Sequence, residues 1–159
     1  MSSSDEPEKD PSRGDAPPSS RSGRRVAATL RASAEALVQR IAQIEDELLR
    51  CHWELAQLVH RTRVSASTAR AATDLAQMLG LKPVTLRAHA LVAERISQTE
   101  LDTYIALSRL RGFQLTWSHL EALAQARSRD RRQDFAEQTM AEHLSVRSLR
   151  ARIHRSEAE

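Results

Sequence analysis

Apolar side chains recur alternately every four and three residues between positions 30 and 58. They form a stripe at Leu30, Ala34, Leu37, Ile41, Ile44, Leu48, Cys51, Leu55 and Leu58. This heptad pattern is typical of a helix that packs along another helix, and no Gly or Pro interrupts it. The sequence therefore predicts one long amphipathic helix over residues 26–60, roughly 50 Å long.

The stripe on this helix needs a surface to cover it, because a helix of that length exceeds the width of a small domain. One arrangement is a coiled coil with a second copy, which would make a homodimer, and another is packing along the later helices of the same chain. A partner protein is a third occupant. The pattern leaves these alternatives open. The candidate interface residues are Leu37, Ile41, Ile44, Leu48 and Leu55. Trp53 lies beside the seam, and we expect it to pack on neighbouring helices.

A second pattern consists of two short amphipathic segments separated by a glycine. It follows a Ser/Thr/Arg stretch at residues 61–70, which we expect to be a loop that can become helical near its end. The first segment predicts a helix with Leu75, Met78 and Leu79 directed inward. Gly80 supplies the positive φ angle of a tight turn, and Pro83 suits the first turn of a new helix. In that second helix we expect the core-facing side chains to be Leu86, His89 and Ala90.

The remaining residues predict short helices with recognisable N-caps. Ser97 and Glu100 have the spacing of a capping box, and the other expected caps are Thr116, Asp130 and Ser145. No segment alternates with a period of two for long enough to form a strand. We therefore expect an all-α protein, with a long N-terminal heptad helix at 26–60 and a multi-helix helix-turn-helix domain at 61–155.

Composition limits the kind of protein further. The first 25 residues are rich in Ser, Pro and charge, so we expect a disordered tail there. No apolar run is long enough for a membrane span or a signal peptide, and the single cysteine cannot form an internal disulfide. We therefore expect a cytoplasmic protein.

Charge is distributed unevenly. The chain has a net charge of +3, whereas residues 61–159 carry sixteen bases and eleven acids. The bases cluster at Arg61, Arg63 and Arg70, at Arg127, Arg129, Arg131 and Arg132, and at Arg147, Arg150, Arg152 and Arg155. Arginine binds phosphate and guanine through paired donors. The alternative for each cluster is a solvated helix face.

The helix–glycine–helix spacing is that of a DNA-binding helix-turn-helix, whose second helix enters the major groove. The side chains expected to reach bases or phosphates are Lys82, Val84, Thr85, Arg87 and Ala88, with Arg70 upstream. The methyl groups of Val84 and Thr85 suit thymine, and Arg87 suits guanine. The sequence thus predicts binding to double-stranded DNA.

Short motifs in this region resemble those of two families. Leu75-Ala76-Gln77-Met78-Leu79-Gly80 and the later Leu144-Ser145-Val146-Arg147 are similar to the helix-turn-helix domain of ParB-like partition proteins. Cys51-His52-Trp53-Glu54-Leu55 and Leu115-Thr116-Trp117-Ser118-His119 resemble the N-terminal helical domain of the YhcG family. The resemblance implies a helical DNA-binding module.

The parts that give those families their enzymatic character have no counterpart here. The chain contains neither the acid-x-Lys motif of the YhcG-type nuclease domain nor the Arg-rich phosphate motif of ParB-like proteins. His119 follows Ser118 directly, and adjacent helical residues do not face each other, so we expect His119 to cap or to bond a neighbouring helix. We expect no enzymatic activity, no metal and no cofactor. The alternative function is a protein-interaction or adaptor module that dimerises or recruits a partner through the heptad helix.

Overall fold

The computed structural model describes the backbone of residues 21–65 and 69–158, with side chains for 26–64 and 74–158. These residues form helices and no strands. The helices are α1 (Arg21–Ser65), α2 (Ala69–Met78), α3 (Pro83–Arg95), α4 (Gln98–Leu110), α5 (Trp117–Leu123), α6 (Arg129–Glu142) and α7 (Val146–Ala158). The predicted all-α class is therefore confirmed. Contacts divide the chain into two compact units, Met1–Ile41 and Ala42–Glu159.

Helix α1 is longer at both ends than the pattern predicts. It begins at Arg21 rather than at residue 26, and it continues to Ser65 through the first half of the stretch expected to be a loop. No Gly or Pro between Val26 and Ser65 stops it. The expected tail at residues 1–25 otherwise falls on positions 1–20, which lie outside the described residues.

Two apolar clusters form the core of the Ala42–Glu159 unit. The larger one joins α4, α5, α6 and α7 around side chains such as Leu101, Leu120, Leu123 and Met140, all almost fully buried. The smaller one collects residues of α1, α2 and α3, which are Val59, Leu75, Ala76, Leu86 and Ala90. The smaller cluster therefore holds the helix-turn-helix pair against α1.

Side chains of α1 also satisfy backbone carbonyls at the end of α3. Trp53 Nε1 donates to the carbonyl of Ile96 at 3.0 Å, and Gln57 Nε2 donates to that of Ala93 at 3.1 Å. The last carbonyls of a helix have no partner within the helix. These two bonds supply partners, and they confirm that Trp53 packs on a neighbouring helix.

Most of the expected helix caps are present. Glu100 N donates to Ser97 Oγ at 3.2 Å and Ser97 N donates to Glu100 Oε2 at 3.0 Å, which completes the predicted capping box. Thr116 caps α5, and Ser145 Oγ accepts from the backbone of Ser148 at the start of α7. The expectation for Asp130 is wrong. Ser128 caps α6 instead, because α6 begins one residue before the aspartate.

None of the helices within the described ranges is both long and apolar enough to cross a membrane.

Candidate nucleic-acid interface

The turn between α2 and α3 is tight and has regular hydrogen bonds. Gly80 has a φ of 63°, in the left-handed region that a side chain disfavours. The backbone N–H of Leu81 donates to the carbonyl of Ala76 at 2.8 Å, and that of Gly80 donates to Gln77 at 3.1 Å. These bonds satisfy carbonyls at the end of α2. Pro83 then opens α3, as the sequence predicts.

The inner faces of α2 and α3 pack through small and branched side chains. Ala76 is 3% exposed and lies in the same cluster as Leu75, Leu86 and Ala90. The expectation that Met78 faces inward is wrong, because its side chain is 76% exposed. At about 100° per residue, position 78 is rotated by roughly 110° from the buried side of α2.

Three of the predicted DNA-binding residues are exposed at the N-terminal end of α3, with Lys82 at its N-cap and Val84 and Arg87 on its outer side. Lys82 and Arg87 are exposed, as is Val84 with 65% of its surface accessible. Neither basic group lies within 4.0 Å of an acidic group among the side chains that the structure describes. These positions combine an apolar contact with two uncommitted positive charges.

The other predicted residues are placed differently. Thr85 is half-buried, and its carbonyl accepts a hydrogen bond from Nδ1 of His89 at 3.0 Å. Ala88 is also half-buried and faces a surface cavity of about 440 Å³. Its lining residues are Ala88, Glu121, Gln125, Arg127, Arg150, Ile153, His154 and Glu157. The side chain of Arg70 lies outside the described residues.

Ion pairs occupy most of the predicted arginine clusters. Glu157 pairs with Arg127 and Arg131, and Glu100 lies near Arg129 and Arg132. Glu121 and Glu142 pair with Arg150 and Arg152, respectively. Exposed Arg61 and Arg63, near the end of α1, have no acidic group within 4.0 Å among the described side chains. Among the described side chains, therefore, fewer arginines lack an acidic partner than the sequence suggests.

A cluster of aromatic and imidazole rings lies on the buried side of α3, and no sequence pattern predicted it. The Trp117 ring stacks on His52 with centroids 5.2 Å apart and lies 4.9 Å from the His89 ring. Its Nε1 donates to Glu121 at 3.1 Å. Burial lowers the pKa of His89 below its ordinary value. The rings belong to α1, α3 and α5, so no short motif in the sequence could have revealed them.

His119 makes the structural contacts that the sequence predicts. Its Nδ1 accepts from the backbone and the hydroxyl of Thr116, at 3.3 and 2.7 Å, and its Nε2 donates to the carbonyl of Leu144 at 3.3 Å. Burial lowers the pKa of His119, which favours the neutral ring that these contacts require. Both ring nitrogens thus have partners that hold α5 in place.

The candidate interface side chains on α1 are mostly open. Leu37 and Ile41 are 60% and 57% exposed, and Ile44 and Leu48 are 54% and 56% exposed. Leu55 differs, because it is partly buried against the smaller cluster. In the Ala42–Glu159 unit, therefore, most of the stripe is exposed, and the other helices pack on a different face of α1.

Comparison with protein-family models, with curated proteins and with solved structures finds no match to this chain.

Proposed function

We propose that this protein is a non-enzymatic DNA-binding protein, and that the N-terminal half of α3 enters the major groove of double-stranded DNA. The observation that carries the proposal is the common exposure of Lys82, Val84 and Arg87 at the N-terminal end of a helix whose opposite face is buried. A recognition helix needs one exposed and one buried face, because its N-terminal residues contact the bases while the buried face holds it in the domain.

The chemistry of the exposed side chains supports the same function. Arg87 can donate two parallel hydrogen bonds to guanine or can bind a phosphate, and Val84 can contact the methyl group of thymine. Lys82 stands at the N-cap of α3. Its positive charge adds to that of the helix N-terminus, which favours a phosphate group.

The test is a titration of the full chain into a labelled random-sequence duplex of about two helical turns, followed by fluorescence anisotropy at about 50 and about 200 mM salt. We expect saturable binding that weakens steeply at the higher salt. Arg87→Ala and Lys82→Ala should each weaken binding at the lower salt. A side chain that contacts phosphate should also reduce the slope of log affinity against log salt by about 1.

Arg111→Ala is the matched control, because Arg111 is an exposed arginine at the end of α4, outside the helix-turn-helix. It removes the same charge and should leave the affinity close to that of the wild type. An equal loss for Arg111→Ala and Arg87→Ala would show that only overall charge matters. A folded wild-type chain without saturable binding at the lower salt would contradict the proposal.

A second candidate function is a protein-interaction module that acts through α1. It is favoured by the exposure of Ile44, Leu48 and Leu58, each about half accessible. This function needs no DNA, so the same titration separates the two candidates.

A further inference from the structure

Helix α1 has two different apolar faces within the Ala42–Glu159 unit. Leu49, Ala56 and Val59 are at most 4% exposed. Leu49 belongs to the larger core cluster and Val59 to the smaller one. Ile44 and Leu58 are 54% and 47% exposed. At about 100° per residue, the centres of the two sets are roughly 130° apart around the helix axis. The helices that cover the first face therefore leave the second uncovered.

The spacing of the uncovered face points to a helical occupant. Its large exposed apolar side chains are Leu30, Leu37, Ile41, Ile44, Leu48 and Leu58, and exposed Cys51 occupies another stripe position. These positions repeat every 3.5 residues, whereas a straight α-helix repeats every 3.6. A 3.5-residue stripe stays on one side only when the helix winds around another helix with a similar stripe.

Charge along α1 distinguishes between two orientations of such a helix. Residues 26–41 contain Arg31, Arg40 and Glu35, which gives a net charge of +1. Residues 44–58 have four acidic side chains and Arg50, which gives a net charge of −3. A parallel pair of copies would place the two −3 segments together. An antiparallel pair places each of them beside a +1 segment, and opposite charges favour that arrangement.

We propose that the stripe of α1 pairs with the stripe of a second copy of this chain, with the two helices antiparallel. The register that aligns the stripe places Ile41 beside Ile44 of the second copy, and Leu37 beside Leu48. It also brings Arg40 to the flank occupied by Glu47 of the second copy. This pairing uses the surface of the second candidate function and does not rest on DNA binding, so failure of the DNA titration leaves it standing.

The first test measures the mass of the full chain in solution by sedimentation equilibrium at tens of micromolar, without DNA. The wild type should have twice the mass of one chain. Ile44→Asp combined with Leu48→Asp should raise the dissociation constant of the dimer at least about 100-fold. Circular dichroism should show that this variant retains its helices, because both side chains are exposed in the single chain.

Leu110→Asp is the control for this test. Leu110 is 80% exposed at the end of α4 and does not belong to the stripe. It introduces one of these negative charges at another open apolar position, and the variant should remain a dimer. A monomeric wild type would overturn the proposal and leave the stripe to a different protein. Equal dissociation of the control would place the dimer contact elsewhere.

The second test uses the single native thiol to determine orientation. The antiparallel register places Cys51 beside Ala34 of the second copy, so Ala34→Cys should give a covalent dimer when diamide oxidises the paired thiols. The same substitution combined with Cys51→Ser should give none. In a parallel, aligned pair, Cys51 would lie beside its own counterpart, and the wild type would itself cross-link. That result, or the absence of a cross-link in Ala34→Cys, would overturn the antiparallel arrangement.

Discussion

Arg132 donates from Nη2 to Oε1 of Glu100 across 3.2 Å, and the two side chains are 7% and 9% exposed. Burial alone would raise the pKa of Glu100, but hydrogen bonds from the backbone and hydroxyl of Ser97 and the charge of Arg132 lower it below its ordinary value. Burial, followed by the charge of Glu100, raises the pKa of nearby Tyr104 to about 12. An ionised carboxylate therefore joins the start of α4 to α6 inside the protein.

Loss of the arginine from this pair should be strongly destabilising. Arg132→Met leaves the Glu100 carboxylate buried without its hydrogen-bonded cation, which should reduce the free energy of unfolding by about 3–5 kcal/mol. Urea denaturation followed by circular dichroism measures the change. Arg152→Met is the control, because Arg152 pairs with Glu142 at the surface, and it should have a much smaller effect. Equal losses in the two variants would contradict a special role for the buried pair.

Acidification should destabilise the fold through His89 and His119. Burial lowers the pKa of each ring in the folded chain, whereas in the unfolded chain both titrate near their ordinary value of about 6.5. Below that pH the unfolded chain binds protons that the folded chain does not, so the free energy of unfolding decreases. Above it this contribution is fully retained. Urea midpoints at about pH 7.5 and about pH 5 should therefore differ, with the lower midpoint in acid.

The pH effect can be assigned to one of these rings. His119→Gln keeps an acceptor and a donor for the contacts with Thr116 and Leu144, and it should reduce the difference between the two midpoints. His154→Gln changes an exposed histidine and should leave the difference unchanged. A pH dependence unaffected by His119→Gln would show that this ring does not contribute.

Substitution of Gly80 should destabilise the protein only through strain in the backbone. A Cβ atom at this position would have no neighbour within 4 Å, but the residue has a φ of +63°. Gly80→Ala should reduce the free energy of unfolding by about 1–2 kcal/mol, and Gly80→Asn should cost less because asparagine tolerates this conformation. Urea denaturation of both variants checks the order. A Gly80→Ala protein as stable as the wild type would contradict the strained turn.

Enlargement of Ala76 should disturb the α2–α3 packing. Ala76 is 3% exposed within the smaller cluster, so Ala76→Leu should destabilise the protein by about 1–3 kcal/mol through overpacking. Gln77→Leu adds a similar side chain at the next position, which is exposed, and should have little effect. Thermal or urea unfolding of the two variants measures the difference. Equal tolerance would mean that the helices do not cross closely at Ala76.

Local patterns in the sequence were sufficient to predict several parts of the fold. The unbroken heptad predicted α1, and Gly80 with Pro83 predicted the turn and the start of α3, because each depends on residues close together in the chain. The capping box of Ser97 and Glu100 was predictable for the same reason. The predicted DNA contacts at Lys82, Val84 and Arg87 lie on an open surface, and their binding to DNA stays a prediction.

Features that depend on distant residues could not be predicted. Leu49, Ala56 and Val59 lie outside the heptad stripe, so the pattern did not show that they form the buried face of α1. Charge compensation was equally hidden, because Arg109 pairs with Asp46 across 63 positions of the chain. Partners this far apart are brought together only by the tertiary fold.

Leu58 and Val59 are neighbours in the chain, yet the first belongs to the open stripe and the second is fully buried beside Leu86 and Ala90 of α3. A single turn of α1 thus connects the two proposed binding surfaces without an intervening loop. If occupation of the stripe changes the order of this turn, it changes the affinity of α3 for DNA. Thermodynamic reciprocity then requires DNA to change the strength of pairing by the same factor.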